Sequence, residues 1–395
     1  MAITIQHKRD TAANWTSNNP TLAAGQAGYE TDTGKFKIGD GSTAWSSLGY
    51  FATASVTPSY CYQGSSAGYH VGGVITTGPP YAYNGAPGNI IDKYPFSSDA
   101  NATDVGDLTE CVQGAGGIAS DSDGYRIAGH NWPFSKYGSN CVLNANSIDK
   151  MPFASEGNSS DVGDVSGCRY GSPGAAASPS HGYFWGGCGY DISPTPYADA
   201  NISAIRKFEF AAATYSDSLV GLKLPYNPST ARNNDYSQAV IPMQSTTHAY
   251  SAGGAYSGIG DDGIVKFPFS TDTNATEIGD LAYAVYSGAG ASSDSAGYVA
   301  GGNSPVAPNS RYIQCHPFAS DANAACVGLL STCGYGAKGT SSASSGYAAG
   351  VGHSGGVASN IIEKWPFSGN GNSTDVGDLT VARGNGSRHS TSWQT

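Results

Sequence analysis

Beyond residue 57 the chain is a succession of short apolar segments, each strand-length and each bounded by Gly, Asp, Asn or Ser. Three of them recur six times. The first is an aromatic segment, complete with a glycine pair in Gly68-Tyr69-His70-Val71-Gly72-Gly73 and recognisable at Gly124-Tyr125, Gly182-Tyr183, Ala249-Tyr250, Gly297-Tyr298 and Gly346-Tyr347. The second, of the form Ile-x-Lys-x-Pro-Phe, occupies 91–96, 148–153, 205–210, 264–269, 313–318 and 362–367. The third, close to Val-Gly-Asp-Leu, falls at 105–108, 162–165, 220–222 (degenerate), 278–281, 327–329 and 376–379. No 3.6-residue period appears, so these segments predict strands. The Phe positions are 57, 57, 59, 49 and 49 residues apart. A period near 50 suits a four-stranded blade. The three segments are strands B, C and D of that blade, and a weakly patterned stretch such as Gly117–Ser120 is strand A. The Pro in strand C lacks a ladder donor and belongs at a strand margin or bulge. Polar runs such as 98–104 read as turns, where Asp and Asn side chains bond the backbone.

The aromatic strand, the glycine pair and the strand and turn that follow resemble a divergent Kelch repeat, similar to the Kelch-like repeats of phage and marine viral structural proteins. The resemblance implies an all-β, six-bladed Kelch-like β-propeller over residues 59–395, with 51–58 as a linker. Strand A of the first blade is open to two assignments, Val56–Tyr62 or the tail around Arg388–Trp393. The tail is preferred, because it joins the first and last blades by hydrogen bonds.

Residues 1–50 stand outside the repeat. Thr11–Ser17 predicts a short capped helix ending before Pro20. Asp32-Thr-Gly34 and Gly39-Asp-Gly41 predict turns around a strand, Lys35–Ile38. The run Glu30-Thr-Asp-Thr-Gly-Lys-Phe-Lys-Ile-Gly-Asp-Gly41, with Trp15, Trp45 and Leu48, resembles the N-terminal module of phage major tropism determinants and many tail-fibre proteins. That resemblance implies a small three-chain β-prism that attaches a receptor-binding domain to the virion. Fifty residues bury little alone. Trp15, Phe36, Ile38 and Trp45 are therefore expected to be exposed and to mediate assembly into a homotrimer.

Composition supports a folded, turn-rich chain. Gly 55 and Pro 20 make up roughly a fifth of the 395 residues, below the roughly 25–30% of low-complexity chains. Only 12% of residues are charged, and Tyr 25, Phe 12 and Trp 6 supply apolar area instead. A net charge of −11 without a Lys/Arg cluster argues against nucleic acid, since phosphate contacts need gathered cations. No apolar run approaches 18 residues, so no membrane insertion is expected. The start of the chain lacks an apolar stretch of signal-peptide length. Eight scattered Cys, with no C-x-x-C, read as small reduced core residues.

Several motifs look chemical and are explained more simply. Gly64-Ser-Ser66-Ala-Gly68 and Gly352-His-Ser354-Gly-Gly356 match Gly-x-Ser-x-Gly. A nucleophile elbow needs a strand-to-helix turn, absent from a run of short strands. Gly334-Tyr-Gly336-Ala-Lys-Gly339 lacks the βαβ unit that would give a dinucleotide fingerprint meaning. The His residues lack zinc spacing, and His70 and His130 read as strand residues. The recurrent Asp99-x-Asn101-x-x-Asp104 offers oxygen ligands but reads as a hydrogen-bonded turn. No metal or cofactor is expected, and the chain is expected not to be an enzyme. Acids that do not recur (Glu156, Asp191, Asp261 and Asp262) are the candidates for a depolymerase alternative.

Departures from the repeat are more informative. From the strand B Tyr to the strand C Phe, blades 1 to 3 take 27, 28 and 27 residues, against 19, 20 and 20 in blades 4 to 6. From that Phe to the next Tyr the spacings are 29, 30, 40, 29 and 29, so a further insertion precedes blade 4. In an up-and-down blade the B–C and D–A connections leave from one face. The insertions then gather Tyr81, Tyr83, Trp132, Phe134, Tyr137, Tyr190, Tyr197, Tyr226, Arg232 and Tyr236 over blades 1–4. Such aromatics provide rigid contact area with a polar handle. The expectation is a phage tail-fibre adhesin, carried on the virion and assembled in the bacterial cytoplasm. Its partners would be a host-surface receptor, a glycan or a protein, and other virion tail proteins. A decoration or connector protein without receptor binding is the structural alternative.

Overall fold

The structure, a computed structural model, describes residues 7–50, 63–75, 86–129, 146–165, 168–170, 173–190, 204–212, 215–216, 218–223, 239–256, 259–304, 311–350, 352, 358–383 and 391–395. It is nearly all β. The chain divides into two compact units, Met1–Ser59 and Tyr60–Thr395.

In the first unit, Thr11 caps a helix over Ala12–Asn18, its hydroxyl accepting from the Asn14 amide, and Asn19 ends the helix in the left-handed conformation. Strand Ala27–Glu30 pairs parallel with Lys8–Asp10 and antiparallel with Phe36–Ile38. The expected exposure of Trp15 and Trp45 is corrected here. Trp15 is 6% and Trp45 1% exposed, and their rings stack at 4.2 Å over Leu22. Gly28 leaves room for them, since a Cβ there would meet the Trp45 ring. The Trp15 indole nitrogen donates to Tyr29 O at 2.9 Å. A strand alternates its faces, so Gly28, Glu30 and Lys37 face this core while Tyr29 (40% exposed) and Ile38 (38%) face away, with Phe36 half-buried beside them.

In the second unit each repeat forms four antiparallel strands, and in repeat 2 a fifth, Tyr215–Ser216, adds in parallel to the last of them. In repeat 2 the strands are Gly116–Ala119, Asp123–Ile127, Ser147–Pro152 and Ser160–Asp164. Repeats 3, 4 and 5 follow the same order. Repeat 1 takes its first strand from the far end of the chain. Thr391–Gln394 pairs antiparallel with Ala67–Val71, Trp393 opposite Tyr69. Pro95, Pro152, Pro268, Pro317 and Pro366 each end the third strand of their sheets, at the margin where a missing donor costs least.

The recurring residues join each sheet to the next. The Tyr of each repeat packs on the motif Phe of the following repeat: Tyr69 on Phe153, Tyr125 on Phe210, Tyr250 on Phe318, Tyr298 on Phe367 and Tyr347 back on Phe96 are stacked, and Tyr183 is tilted against Phe269. The Gly before the Tyr lies under a ring, that of the opposite strand of its own sheet in repeats 1, 3 and 6 and that of Trp393 from the neighbouring sheet in repeat 2. A Cβ on Gly124 would enter Trp393, and one on Gly182 would come within 2.7 Å of Phe208. The motif Lys reaches an acid in the next turn, as in Lys207–Asp272 at 2.9 Å and Lys364–Asp99 at 2.9 Å. Asn101, Asn158, Asn323 and Asn372 in these turns accept backbone amides of the preceding sheet at 3.0–3.1 Å. The Asp-x-Asn turn is thus a clamp between repeats.

A β-bulge interrupts the third-to-fourth strand ladder at the same place in all six sheets. Opposite the bulge, the Gly of Val-Gly-Asp lies against the next turn. A Cβ on Gly106 would enter the Gly157 carbonyl, and one on Gly377 would meet Ala100 O. The bulge also aims the residue after the motif Ile at a neighbouring sheet. Asp149 accepts from the Thr109 amide and hydroxyl, Asp92 from those of Thr380, and Gln314 pairs with both backbone groups of Tyr283.

The first strands pack in succession: Gly116–Ala119 on Gly174–Ala177, then Ile241–Gln244, Ala289–Ser292, Lys338–Ser341, Thr391–Gln394 and again Gly116–Ala119. A cavity of about 100 Å³ lies among them, and each of the six contributes to its wall. Their unpaired inner edges need donors and acceptors. At one end, side chains supply them. Ala177 N donates to Gln244 Oε1, Gln244 N to Ser292 Oγ, Ser292 N to Ser341 Oγ and Ser341 N to Gln394 Oε1, at 2.5–3.0 Å.

Trp393 fills the space over Gly124 and donates its indole N–H to Tyr125 O at 2.7 Å. Trp393→Ala is expected to lower unfolding free energy by about 3–5 kcal/mol, measured by urea denaturation; a loss below about 1 kcal/mol would show that the closing strand contributes little.

Candidate functional site

The expected receptor-contacting residues Tyr81, Tyr83, Trp132, Phe134, Tyr137, Tyr197, Tyr226, Arg232 and Tyr236 lie outside the described residues. Tyr190 is placed by its backbone only, at the end of Cys188–Tyr190. What the structure describes is the scaffold from which their segments leave.

Those connections are rooted together. Cys168–Tyr170, between repeats 2 and 3, pairs antiparallel with Cys188–Tyr190, which follows the second strand of repeat 3. Val74–Ile75 pairs with the start of Ala86–Pro95, and Ile75 also meets Arg383 of repeat 6. Tyr286 bridges Asn303, and Tyr335 bridges Gly352. In each case a fourth-to-first-strand connection, or the strand leading into it, meets a second-to-third-strand connection, so both kinds leave from the same end of the sheets.

Around repeats 4 and 5 this end carries aromatic and amide groups. Tyr283 and Tyr312 stack at 4.4 Å, and charge repulsion from the Tyr312 hydroxyl, then from Cys326, raises the Tyr283 hydroxyl pKa above its ordinary value. Asn303 Nδ2 donates to Tyr286 Oη at 2.7 Å. Burial, and then Tyr335, raise the Tyr286 pKa. On repeat 1, burial pushes the Glu110 carboxyl up, partly opposed by Arg126. These half-buried rings beside amides suit contact with neutral hydroxylated ligands.

The chain enters its repeats at the opposite end. Gly64 N donates to Ser341 O and Ser66 N to Thr395 O, both at 2.7 Å. Gln63 Nε2 donates to Ser292 O at 3.0 Å, across the end closed by the Gln and Ser side chains.

The other chemical candidates are placed as follows. Ser66 meets Thr395, while Ser354, His130 and Asp191 lie outside the described residues. Gly334–Gly339 leads into a strand. Glu156 pairs with Lys93, and Asp261 accepts the amides of Asp262 and Gly263. Among the described residues, no three His, Cys, Asp or Glu gather as a metal site. The expectation of core cysteines is corrected for the four whose side chains are described. Cys111, Cys315 and Cys333 are free and half-buried, and Cys326 is free and exposed.

Residues 5–43 match the family model for the major tropism determinant N-terminal domain. Compared with curated proteins, the chain has no match. The family match supports a phage tail-fibre-like N-terminus.

If the paired roots hold this end together, Asn303→Ala is expected to cost about 1 kcal/mol in thermal unfolding without changing circular dichroism. A loss above about 3 kcal/mol would mean that Asn303 supports more than its own bridge.

Proposed function

We propose that this chain is a phage tail-fibre-type adhesin. Residues 1–50 attach it to the virion among other tail proteins, and the repeats present a receptor-binding surface to a bacterial host. The observation that carries this reading is the match of residues 5–43 to a tropism-determinant domain. The repeats are read as a six-bladed Kelch-like propeller. The succession of first strands that returns to its start, and the strand borrowed from the end of the chain, support that reading.

Binding is assigned to the insertions for a physical reason. The recurring Tyr, Phe, Lys, Asn and Gly residues are engaged between sheets, so changing them would loosen the scaffold. The insertions depart from the repeat in length, and loops on a rigid scaffold commonly carry recognition. Aromatic rings stack on sugar faces while Asn and Arg bond hydroxyls, so a surface glycan is the proposed receptor class. Binding without catalysis is the proposed action. The first unit is proposed to form a homotrimer through the face bearing Tyr29, Phe36 and Ile38, and three copies would then add avidity.

Two experiments test these assignments. The double variant Trp132→Ala/Tyr137→Ala is expected to abolish adsorption to host cells with melting temperature and oligomer size unchanged; normal adsorption would overturn the site. Ile38→Asp is expected to convert a trimer to a monomer in light scattering after size exclusion. A trimer that persists in Ile38→Asp and in a Tyr29→Asp/Ile38→Asp double variant would place assembly elsewhere.

A further inference from the structure

The sheets of repeats 1 and 6 meet where the two ends of the repeat array come together. Thr391–Gln394 supplies one tie there. A buried ion pair supplies another: Arg383 Nη2 of repeat 6 to Asp92 Oδ2 of repeat 1 at 2.7 Å. Arg383 Nη1 also donates to the carbonyls of His70, Gly72 and Ile90 at 2.9–3.2 Å. In repeat 2 the matching carboxylate, Asp149, is paired from within its own sheet by Arg126 at 2.7 Å. The position of Arg126 is taken in repeat 1 by His70, and the guanidinium comes instead from repeat 6.

His70 is 1% exposed, and neither ring nitrogen has a hydrogen-bond partner. Its ring packs on Gly350 of repeat 6, where an added Cβ would come within 3.2 Å of Cε1 and Nε2. The charged groups around it are mostly cationic. Arg383 and Lys338 both disfavour a proton on the imidazole. Asp92 lies opposite His70 in the ladder, but its carboxylate is already engaged by Arg383 and Thr380. The paired strand Thr391–Gln394 contains no charged residue.

We propose that the seam between repeats 1 and 6 is an acid-sensitive catch, released when His70 takes up a proton. Burial, followed by Arg383 and Lys338, holds the folded imidazole well below its usual 6.5. A proton is therefore bound more readily by the opened seam than by the closed one. Closure is at full strength above about pH 6.5 and weakens as pH falls below it. At pH 5.5 the opened population is expected to rise about tenfold relative to pH 7.5, from the titration of one group.

The test is hydrogen exchange of Thr391–Gln394 amides in the full chain at pH 7.5 and 5.5, corrected for intrinsic rates. Ile241–Gln244, the matching strand in repeat 4 where Ser251 stands for His70, is the internal control. An acceleration of about tenfold confined to the closing strand supports the catch; equal change in both strands overturns it. His70→Phe is expected to remove the acceleration. Should that variant fail to fold, Lys338→Met gives an independent reading, because losing one neighbouring cation should raise the His70 titration midpoint seen by NMR. A midpoint unmoved in Lys338→Met would equally overturn the proposal.

Discussion

A four-stranded sheet with apolar side chains on both faces is stable only between two neighbours. Six such sheets in succession leave two bare faces unless the last meets the first. That constraint explains why the final strand, Thr391–Gln394, pairs with Ala67–Val71, and why the stack of Tyr347 on Phe96 repeats the contact made between every other pair of sheets. Closure also brings the inner edges of the first strands together, and Gln244, Gln394, Ser292 and Ser341 then satisfy backbone amides that no ladder reaches.

Much of this was legible in the sequence. The recurring Tyr, Ile-x-Lys-x-Pro-Phe and Val-Gly-Asp segments mark the second, third and fourth strands, and the Pro at the margin of the third is where its missing donor requires it. The reason for the recurrence was not legible. A Gly under the ring of the opposite strand needs the ladder register to be visible, and an Asn accepting an amide some forty or fifty residues away needs the packing of two sheets. First strands were weakly marked because they converge. Gly290 lies against Pro242 O, and Gly339 against Gly290 O, so small residues are required where a pattern of large ones would have announced a strand. Mostly small residues ending in Ser before the Gly-Tyr of repeats 2, 3, 5 and 6 were the available signal.

The first unit shows the opposite error. Composition made its tryptophans look like surface in search of a partner. In fact a single stacked pair, with Leu22, forms a core sufficient for a three-stranded sheet and one short helix. Lys37 is held inward, donating to Trp45 O at 2.7 Å near Glu30, which places Phe36 and Ile38 on the other face. Alternation along a three-residue strand thus decided which aromatic and aliphatic groups face outward, a distinction that composition does not carry. The insertions of the repeats were located by counting residues, and the structure adds that their roots are paired with one another.

The bulged outer strands have a colloidal consequence. Asp104, Asp161, Glu277 and Asp375 stand near the start of the fourth strands of repeats 1, 2, 4 and 6, beside the glycine kink. A charged, bent edge resists annealing to the edge of another molecule, so particles crowded with this protein would repel along these flanks. Repeat 3 departs from the rule with Leu219, and so does repeat 5, whose fourth strand, Ala325–Leu329, carries Cys326 at that place. That uncharged flank, with its exposed thiol, is where unwanted cross-linking between molecules would begin.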